Sequence, residues 1–450
     1  MGFSGGPAAG GHNVVAGLFD ILGPQNTLLG IKKGPKGLIQ GDIFDITKDK
    51  VDAVRNLGGF DLLGSDRTKI KTPEQYQQVL ETVKKYRLDG IVVIGGDDSN
   101  TNAALLADYL KPHGCIVVGV PKTIDGDLQW GSALPISFGF DTATKIYSEL
   151  VGNILQDTPS SRKYWHVVKL MGRSASHVTL EVALSTKPHV VLISEEIQNQ
   201  RMVDIIKTIA DAVVYRAQKG MHYGVLVFPE GLIDYVPELK KMISELNAMP
   251  IAKTEAFSEE SLVLFNTLPK DIQHQLLNER DSHGNIQFSQ IPTEDWLIEL
   301  TQSYLKKHHQ DIGFSTIKHF FGYEGRCGAP TLFDAAYTYN LGLCAGSLVL
   351  GGHTGYLASI TAFDEGGIAL GLPLQALIHH EMRQGKSEPV IKKALVDTHS
   401  PAFLYFKSRR KEWMENDVFS SPGPRQFTQS FLPITVALNQ GYSTLNNSWK

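Results

Sequence analysis

Cysteine is scarce in this 450-residue chain. Its three residues, Cys115, Cys327 and Cys344, are too few and too scattered for a disulfide framework or a cysteine-rich zinc site. That scarcity fits a reducing compartment, and a cytoplasmic location is expected. No apolar stretch approaches the ~18 residues of a membrane-spanning helix, and no basic segment followed by an apolar run opens the chain, so no membrane partner is expected. Neither sign of charge dominates: 43 basic and 47 acidic side chains give a formal net charge of −4. Such a balance creates no field that would steer the whole molecule to nucleic acid, so any anion binding must be local. Familiar motifs are missing as well. No two glycines are separated by a single residue, which excludes the G-x-G-x-x-G dinucleotide fingerprint, and the P-loop pattern G-x-x-x-x-G-K-[ST] does not occur. "GFSGG" (2–6) matches G-x-S-x-G, but a nucleophile elbow needs a full strand ahead of its serine, and only two or three residues precede this turn. "HHE" (379–381) lacks the spacing of a zinc-protease helix and reads as polar residues on an exposed helix face.

What is present is an alternation. The β-branched runs "GIVVI" (90–94), "CIVVGV" (115–120), "WHVVKL" (165–170), "HVVLIS" (189–194) and "YGVLVF" (223–228) are separated by segments of helical length, such as 101–110 and 201–217. Uniformly apolar strands alternating with helices predict parallel sheets covered on both faces, an α/β chain with doubly wound, Rossmann-like domains. Residues 234–310 break the rhythm and read as a mostly helical insertion, with a turn at "DSHGN" (281–285). The basic run "KSRRKEW" (407–413) reads as a solvated face. With 42% hydrophobic residues, the length allows two or three packed domains.

In open α/β sheets, ligands bind beyond the carboxyl ends of the strands. The polar clusters fall there: "GGDDSN" after "GIVVI", "PKTIDGD" (121–127) after "CIVVGV", "MGRSASH" (171–177) after "WHVVKL", "PEG" (229–231) after "VLVF", and "GYEGRCGAP" (322–330) after "IKHFF". Glycine turns such as "SGGPAAGG" (4–11) let backbone N–H groups approach phosphate oxygens. Arg173 and Arg326 can clamp phosphate, while aspartates can hold Mg²⁺ or take a proton from a hydroxyl. One such cluster is usually a turn or helix cap. Five together predict phosphoryl transfer.

In order and position, "SGGPAAGGHN", "GGDDSNTNA", "PKTIDGDL", "MGRSASH", "PEG" and "YEGR" resemble the phosphofructokinases, and specifically their pyrophosphate-dependent long-chain branch. The resemblance implies Mg²⁺-dependent, reversible transfer of a phosphoryl group from pyrophosphate to the 1-hydroxyl of fructose 6-phosphate. The rivals are an ATP-dependent phosphofructokinase and a non-catalytic regulatory subunit. The resemblance makes Asp97 the Mg²⁺ ligand, and it makes Asp98 and Lys122 the pair that chooses the donor, since both positions are typically glycine in ATP-dependent relatives. A carboxylate at Asp98 would occupy and repel the space of a nucleotide α-phosphate, while Lys122 stabilises the leaving phosphate. Asp125 is implied as the general base, assisted by Asp127. Gly6 and Arg67, or Lys69 in place of Arg67, match the pyrophosphate contacts. Thr123, Ile124, Asp125, Met171, Gly172, Arg173, Glu230, Tyr323 and Arg326 match the fructose 6-phosphate contacts. Lys163 and Tyr164 match positions that reach a neighbouring subunit's sugar phosphate, so a homo-oligomer, at least a dimer with shared active sites, is expected. The implied domains, facing each other across a cleft, are 1–135 with 326–390 for pyrophosphate and Mg²⁺, and 136–325 with 391–450 for fructose 6-phosphate, the latter including the insertion at 234–310.

Overall fold

The structure, a computed structural model, describes residues 1–247, 257–268, 270–278, 292–383 and 386–423. The turn expected at 281–285 lies outside them. The described residues form two compact units, one of Met1–Ala143 and Tyr323–Ala394, the other of Thr144–Gly322 and the described residues from Leu395 on.

The first unit is built on one sheet. Its spatial order is Ile368–Pro373, Tyr356–Thr361, Ile116–Thr123, Gly90–Gly95, Gly2–Ser4 and Ser65–Asp66, with Phe138–Gly139 beside the end of Ile116–Thr123. All neighbours are parallel except the antiparallel pair Tyr356–Thr361 and Ile368–Pro373. Ile91, Ile94, Val117, Val118 and Val120 are buried, as parallel strands covered on both faces require. Gly90 pairs with Ile116 and Gly95 with Pro121, so the two central strands start level and the second runs two residues further, to Thr123.

The helix that follows Gly95 runs Asp97–Leu110, four residues earlier than the sequence pattern alone suggests. Asp97 and Asp98 form its first turn, where carboxylates face the positive end of the helix dipole. The buried Asn100 locks this start in place: its Nδ2 donates to the carbonyls of Gly95 (2.7 Å), Gly96 (2.9 Å) and Val120 (3.4 Å). A second departure concerns "HHE", which lies on the strand Ile378–Arg383, paired antiparallel with Lys386–Ile391, and not on a helix. Its polar character holds, for His379 Nε2 sits 2.9 Å from Glu381 Oε1 on one exposed face, as alternation along a strand places residues two apart.

The second unit carries four parallel strands, in the order Thr316–Phe321, Trp165–Leu170, Gly224–Pro229 and Val190–Val191. The run "HVVLIS" contributes only two ladder residues, because the short helix Ser194–Ile197 begins at once. The described part of the insertion is helical, as expected: Pro237–Asn247, Glu259–Thr267, Lys270–Asn278 and Thr293–His308. Leu239, Met242, Leu246, Phe265, Ile272 and Trp296 from these helices join Val167, Leu226 and Phe228 of the sheet in one apolar cluster. The insertion is therefore part of this unit's core, each large apolar side chain worth ~1.5–3 kcal/mol of burial. "KSRRKEW" lies on the helix Pro401–Glu415, with its basic groups outward and Trp413 buried.

Beyond that helix, Asp417 anchors the chain to the sheet. It accepts from Arg216 Nη2 (2.7 Å), His189 Nε2 (3.0 Å) and the Tyr223 hydroxyl (2.8 Å). His189 Nδ1 accepts from the Val225 amide, which fixes the neutral tautomer. The His189 bond first of all, with Arg216 and Tyr223, holds the Asp417 carboxyl well below its usual range despite partial burial.

Two stability changes are expected. Asn100→Ala strands carbonyls at two strand ends and should cost roughly 2–3 kcal/mol in denaturant unfolding. Asp417→Ala leaves the Arg216 guanidinium buried without its carboxylate. Because the folded carboxyl is depressed, the stability lost in that variant should be full above about pH 5 and shrink as the pH falls below the ordinary carboxylate value of about 4. Acid-unfolding curves of the two proteins measure this convergence.

Candidate active site

The turn after the strand Gly2–Ser4 is the starting point. Gly5 has φ 82°, which L side chains adopt only with strain, and a Cβ there would stand 3.2 Å from Lys122 Nζ. A Cβ on Gly6 would collide with the Arg326 guanidinium, whose Nε donates to the Pro7 carbonyl at 3.2 Å. Two cations thus close on the glycine turn from opposite parts of the chain. Ser4 takes no nucleophile's role in this geometry, since its hydroxyl accepts from Ser99 Oγ at 2.8 Å.

Lys122 is buried at the end of the strand Ile116–Thr123. Burial, and the neighbouring Arg326 and Arg67, push its ammonium down to about 8 against the pull of Asp125 and Asp97. A buried cation kept charged beside two arginines is a site made for an anion, because an incoming phosphate relieves both the burial and the repulsion. The exposed Arg67 follows the strand Ser65–Asp66, while Lys69, its alternative, is committed elsewhere: its Nζ lies 2.8 Å from Asp98 Oδ1. Asp98 therefore does not stand as a bare charge. It fills space at the helix N-terminus with its carboxylate partly neutralised.

The loop "TIDGD" carries the other carboxylates. Thr123 Oγ1 accepts from the Asp125 amide (3.0 Å) and donates to Asp127 Oδ1 (3.1 Å), while Ile124 is buried beneath. Asp125 is left half-exposed and Asp127 is buried. Burial, then Asp125 and Asp97, raise Asp127 to about 7 against the pull of Lys393 and the Thr123 bond. Lys393 Nζ lies 3.6 Å from Asp97 Oδ2 and 3.7 Å from Asp127 Oδ2. Sequence reasoning missed Lys393, the second of two lysines directly after the strand Lys386–Ile391, because that strand belongs to a two-stranded antiparallel sheet to which the rule for parallel strand ends does not apply. Among the described residues, no group of three or more His, Cys, Asp or Glu is arranged to hold a metal. Asp97 nevertheless suits Mg²⁺, which commonly takes one or two carboxylates together with substrate phosphates. Gly6, Arg67, Asp97, Asp98, Lys122, Thr123, Ile124, Asp125, Asp127, Tyr323 and Arg326 all belong to the first unit, where Tyr323 opens the short turn Tyr323–Gly325 with an exposed side chain.

Met171, Gly172, Arg173 and Glu230 belong to the second unit, at the carboxyl ends of two neighbouring strands. The Met171 amide donates to the Phe321 carbonyl (3.1 Å) and the Gly231 amide to the Gly172 carbonyl (3.3 Å). The exposed Arg173 weakens, without cancelling, the rise that burial imposes on Asp234, to about 6. Lys163 and Tyr164 are exposed before the strand Trp165–Leu170, at the end opposite to Met171–Arg173. Seven residues of extended chain separate Tyr164 from Met171 by roughly 20 Å. One chain does not bring these two groups to one ligand.

Cationic glycine turn, helix-start carboxylates and a half-exposed aspartate on a hydrogen-bonded loop together suit the transfer of a phosphoryl group to a hydroxyl. The phosphofructokinase family model matches residues 1–349, and the chain belongs to the phosphofructokinase family. It is 47% identical to pyrophosphate–fructose 6-phosphate 1-phosphotransferase of Treponema pallidum (strain Nichols), over 94% of this chain and 79% of that one. It is 46% identical to subunit beta 2 of the Arabidopsis thaliana pyrophosphate–fructose 6-phosphate 1-phosphotransferase, over 94% and 78%. Among solved structures, the pyrophosphate-dependent phosphofructokinase from Nitrosospira multiformis aligns with a TM-score of 0.63 over 97% of this chain and 95% of that one. At 16% identity that likeness speaks for the fold alone. Among the described residues no helix is long and apolar enough to cross a membrane.

The lowered Lys122 makes anion binding depend on pH. The protonated form attracts a phosphate and is lost as the pH rises through about 8. Affinity for inorganic pyrophosphate, read by calorimetry, should fall between pH 7 and pH 9, and Lys122→Met should weaken binding and flatten that slope.

Proposed function

We propose that this chain transfers a phosphoryl group from pyrophosphate to the 1-hydroxyl of fructose 6-phosphate, giving fructose 1,6-bisphosphate and phosphate. The observation that carries the reading is the pair formed by Lys122, buried against Gly5, and Asp98, held on the helix start by Lys69. The names of relatives at 44% and 47% identity support it. A pyrophosphate at the Gly5–Gly6 turn meets Lys122 directly, with Arg67 nearby. A nucleotide would have to fit its α-phosphate where the Asp98 carboxylate stands. Lys69 tempers the repulsion there but adds bulk, so exclusion of ATP rests on occupied space as much as on charge.

Asp97 would hold Mg²⁺, which when bound supplies positive charge to the phosphate oxygens. Asp125, half-exposed and oriented through the Thr123 hydroxyl, accepts the proton of the sugar 1-hydroxyl. Asp127 braces the loop from below through Thr123. Arg326, over Gly6, carries a guanidinium at the donor turn and serves the phosphoryl group in transit as well as the sugar. In the second unit, Met171, Gly172, Arg173 and Glu230 at the strand ends suit a sugar phosphate; in the first unit, Thr123 and Tyr323 keep the sugar-binding role that the family motifs imply. Lys163 and Tyr164, at the far end of their own strand, serve a neighbouring subunit's sugar phosphate, so the working enzyme is at least a dimer. Its three free cysteines suit the reducing cytoplasm.

Initial rates with Mg²⁺ and fructose 6-phosphate test the reading. Turnover is expected with pyrophosphate and almost none with ATP. Asp125→Ala should lower kcat by about 10²–10⁴-fold. The double change Asp98→Gly with Lys122→Gly should lower pyrophosphate use by about 10²-fold and open the site to ATP. Preference for ATP in the wild type, or a double variant that keeps its pyrophosphate rate, would overturn it.

A further inference from the structure

Lys393 is tied to the site on both sides by its backbone. Two residues earlier, the Ile391 amide donates to Thr101 Oγ1 at 3.1 Å, and Thr101 in turn donates to the Asp97 carbonyl at 2.9 Å. One residue later, the Ala394 amide donates to the Asp127 carbonyl at 2.7 Å. The segment is thus stitched to the helix that bears Asp97 and to the loop that bears Asp125 and Asp127, with the lysine between the stitches. Its ammonium, 3.6 Å from one carboxylate and 3.7 Å from the other, bridges the two without the short contact of a direct hydrogen bond to either.

Asp97 and Asp127, brought to the same ammonium, would without it be two neighbouring negative charges that favour a divalent cation. An ammonium 3.6 Å from the Asp97 carboxylate opposes the binding of a bare Mg²⁺ there. Magnesium pyrophosphate carries a net negative charge and is attracted by the same ammonium. Resting on the pyrophosphate reading above, we propose that Lys393 is a positioning residue for the donor: it holds Asp97 and Asp127 in register and admits the divalent metal only together with pyrophosphate.

Lys393→Met keeps the length and apolar stem of the side chain and removes its charge, and Lys393→Arg restores the charge. Calorimetry on the full chain, without sugar phosphate, would use Mn²⁺ alone as one probe and magnesium imidodiphosphate, a pyrophosphate analogue with a nitrogen bridge, as the other. The two affinities should move in opposite directions. Lys393→Met should bind Mn²⁺ alone about tenfold more tightly and magnesium imidodiphosphate about tenfold more weakly, a coupling of ordinary size, with Lys393→Arg close to the wild type in both. In turnover, KM for pyrophosphate should rise while KM for fructose 6-phosphate stays. A Lys393→Met protein whose Mn²⁺ affinity is unchanged, or which loses both ligands alike, would reduce Lys393 to a structural tether and overturn the proposal. The Mn²⁺ arm needs no turnover, so a wild type inactive with pyrophosphate would sink the proposed reaction while the Mn²⁺ result still judged Lys393.

Discussion

The side-chain amide of Asn100 is the constraint from which the proposed donor site hangs. Parallel strands end in carbonyls that the ladder no longer satisfies, and a buried polar group without a partner is costly. Asn100 reaches back from the first turn of its helix to the carbonyl of Gly95 at the end of one central strand, to that of Gly96 beside it and to that of Val120 within the neighbouring strand. In doing so it sets where the helix begins and therefore where Asp97 and Asp98 stand. It also fixes the end of the Ile116–Thr123 strand, from which Lys122 projects and the Asp125 loop departs. One neutral side chain thus places four charged ones.

Around that anchor the charges alternate. Lys69 faces Asp98, Lys393 faces Asp97 and Asp127, and Lys122 lies within reach of Asp97 and Asp125. Pairing offsets part of the cost of burying these charges, and removing one partner would leave the other uncompensated. Lys122 is the exception: its nearest influences include two arginines as well as two aspartates, and burial outweighs both. The positive excess is concentrated at the Gly5–Gly6 turn, where the absence of side chains lets Lys122 and Arg326 approach the backbone. Local excess inside a nearly neutral molecule is what the overall charge balance demanded of any anion site.

The second unit answers a different need. Its helical insertion is welded into the sheet's apolar core through residues such as Leu239, Phe265 and Trp296, and Asp417 pins the returning chain to Arg216 and His189. The strand ends carrying Met171–Arg173 and Glu230 therefore rest on a well-packed support, which the proposed sugar-phosphate site requires.

Much of this was legible in the residue order. Uniform runs of Val and Ile set the central strands, because only parallel strands covered on both faces bury every residue. The glycine, aspartate and arginine clusters marked the strand ends as the place of chemistry, and their motifs marked the family. The helical character of the insertion followed from its periodicity. Other matters were decided only when distant segments met. "DDSN" reads as a turn until Asn100 finds strand carbonyls to bind, and then it becomes the first turn of a helix. "HHE" suits either a helix or a strand until Lys386–Ile391 pairs with it. Arg326 comes to Gly6 from 319 residues along the chain from its acceptor Pro7, and the Lys393 segment is bound through residues 290 apart. Periodicity and spacing are local properties, and they determine what a segment will become. Which charge stands beside which is set by chain crossings that no local pattern encodes, and on those crossings the electrostatics of the site depend.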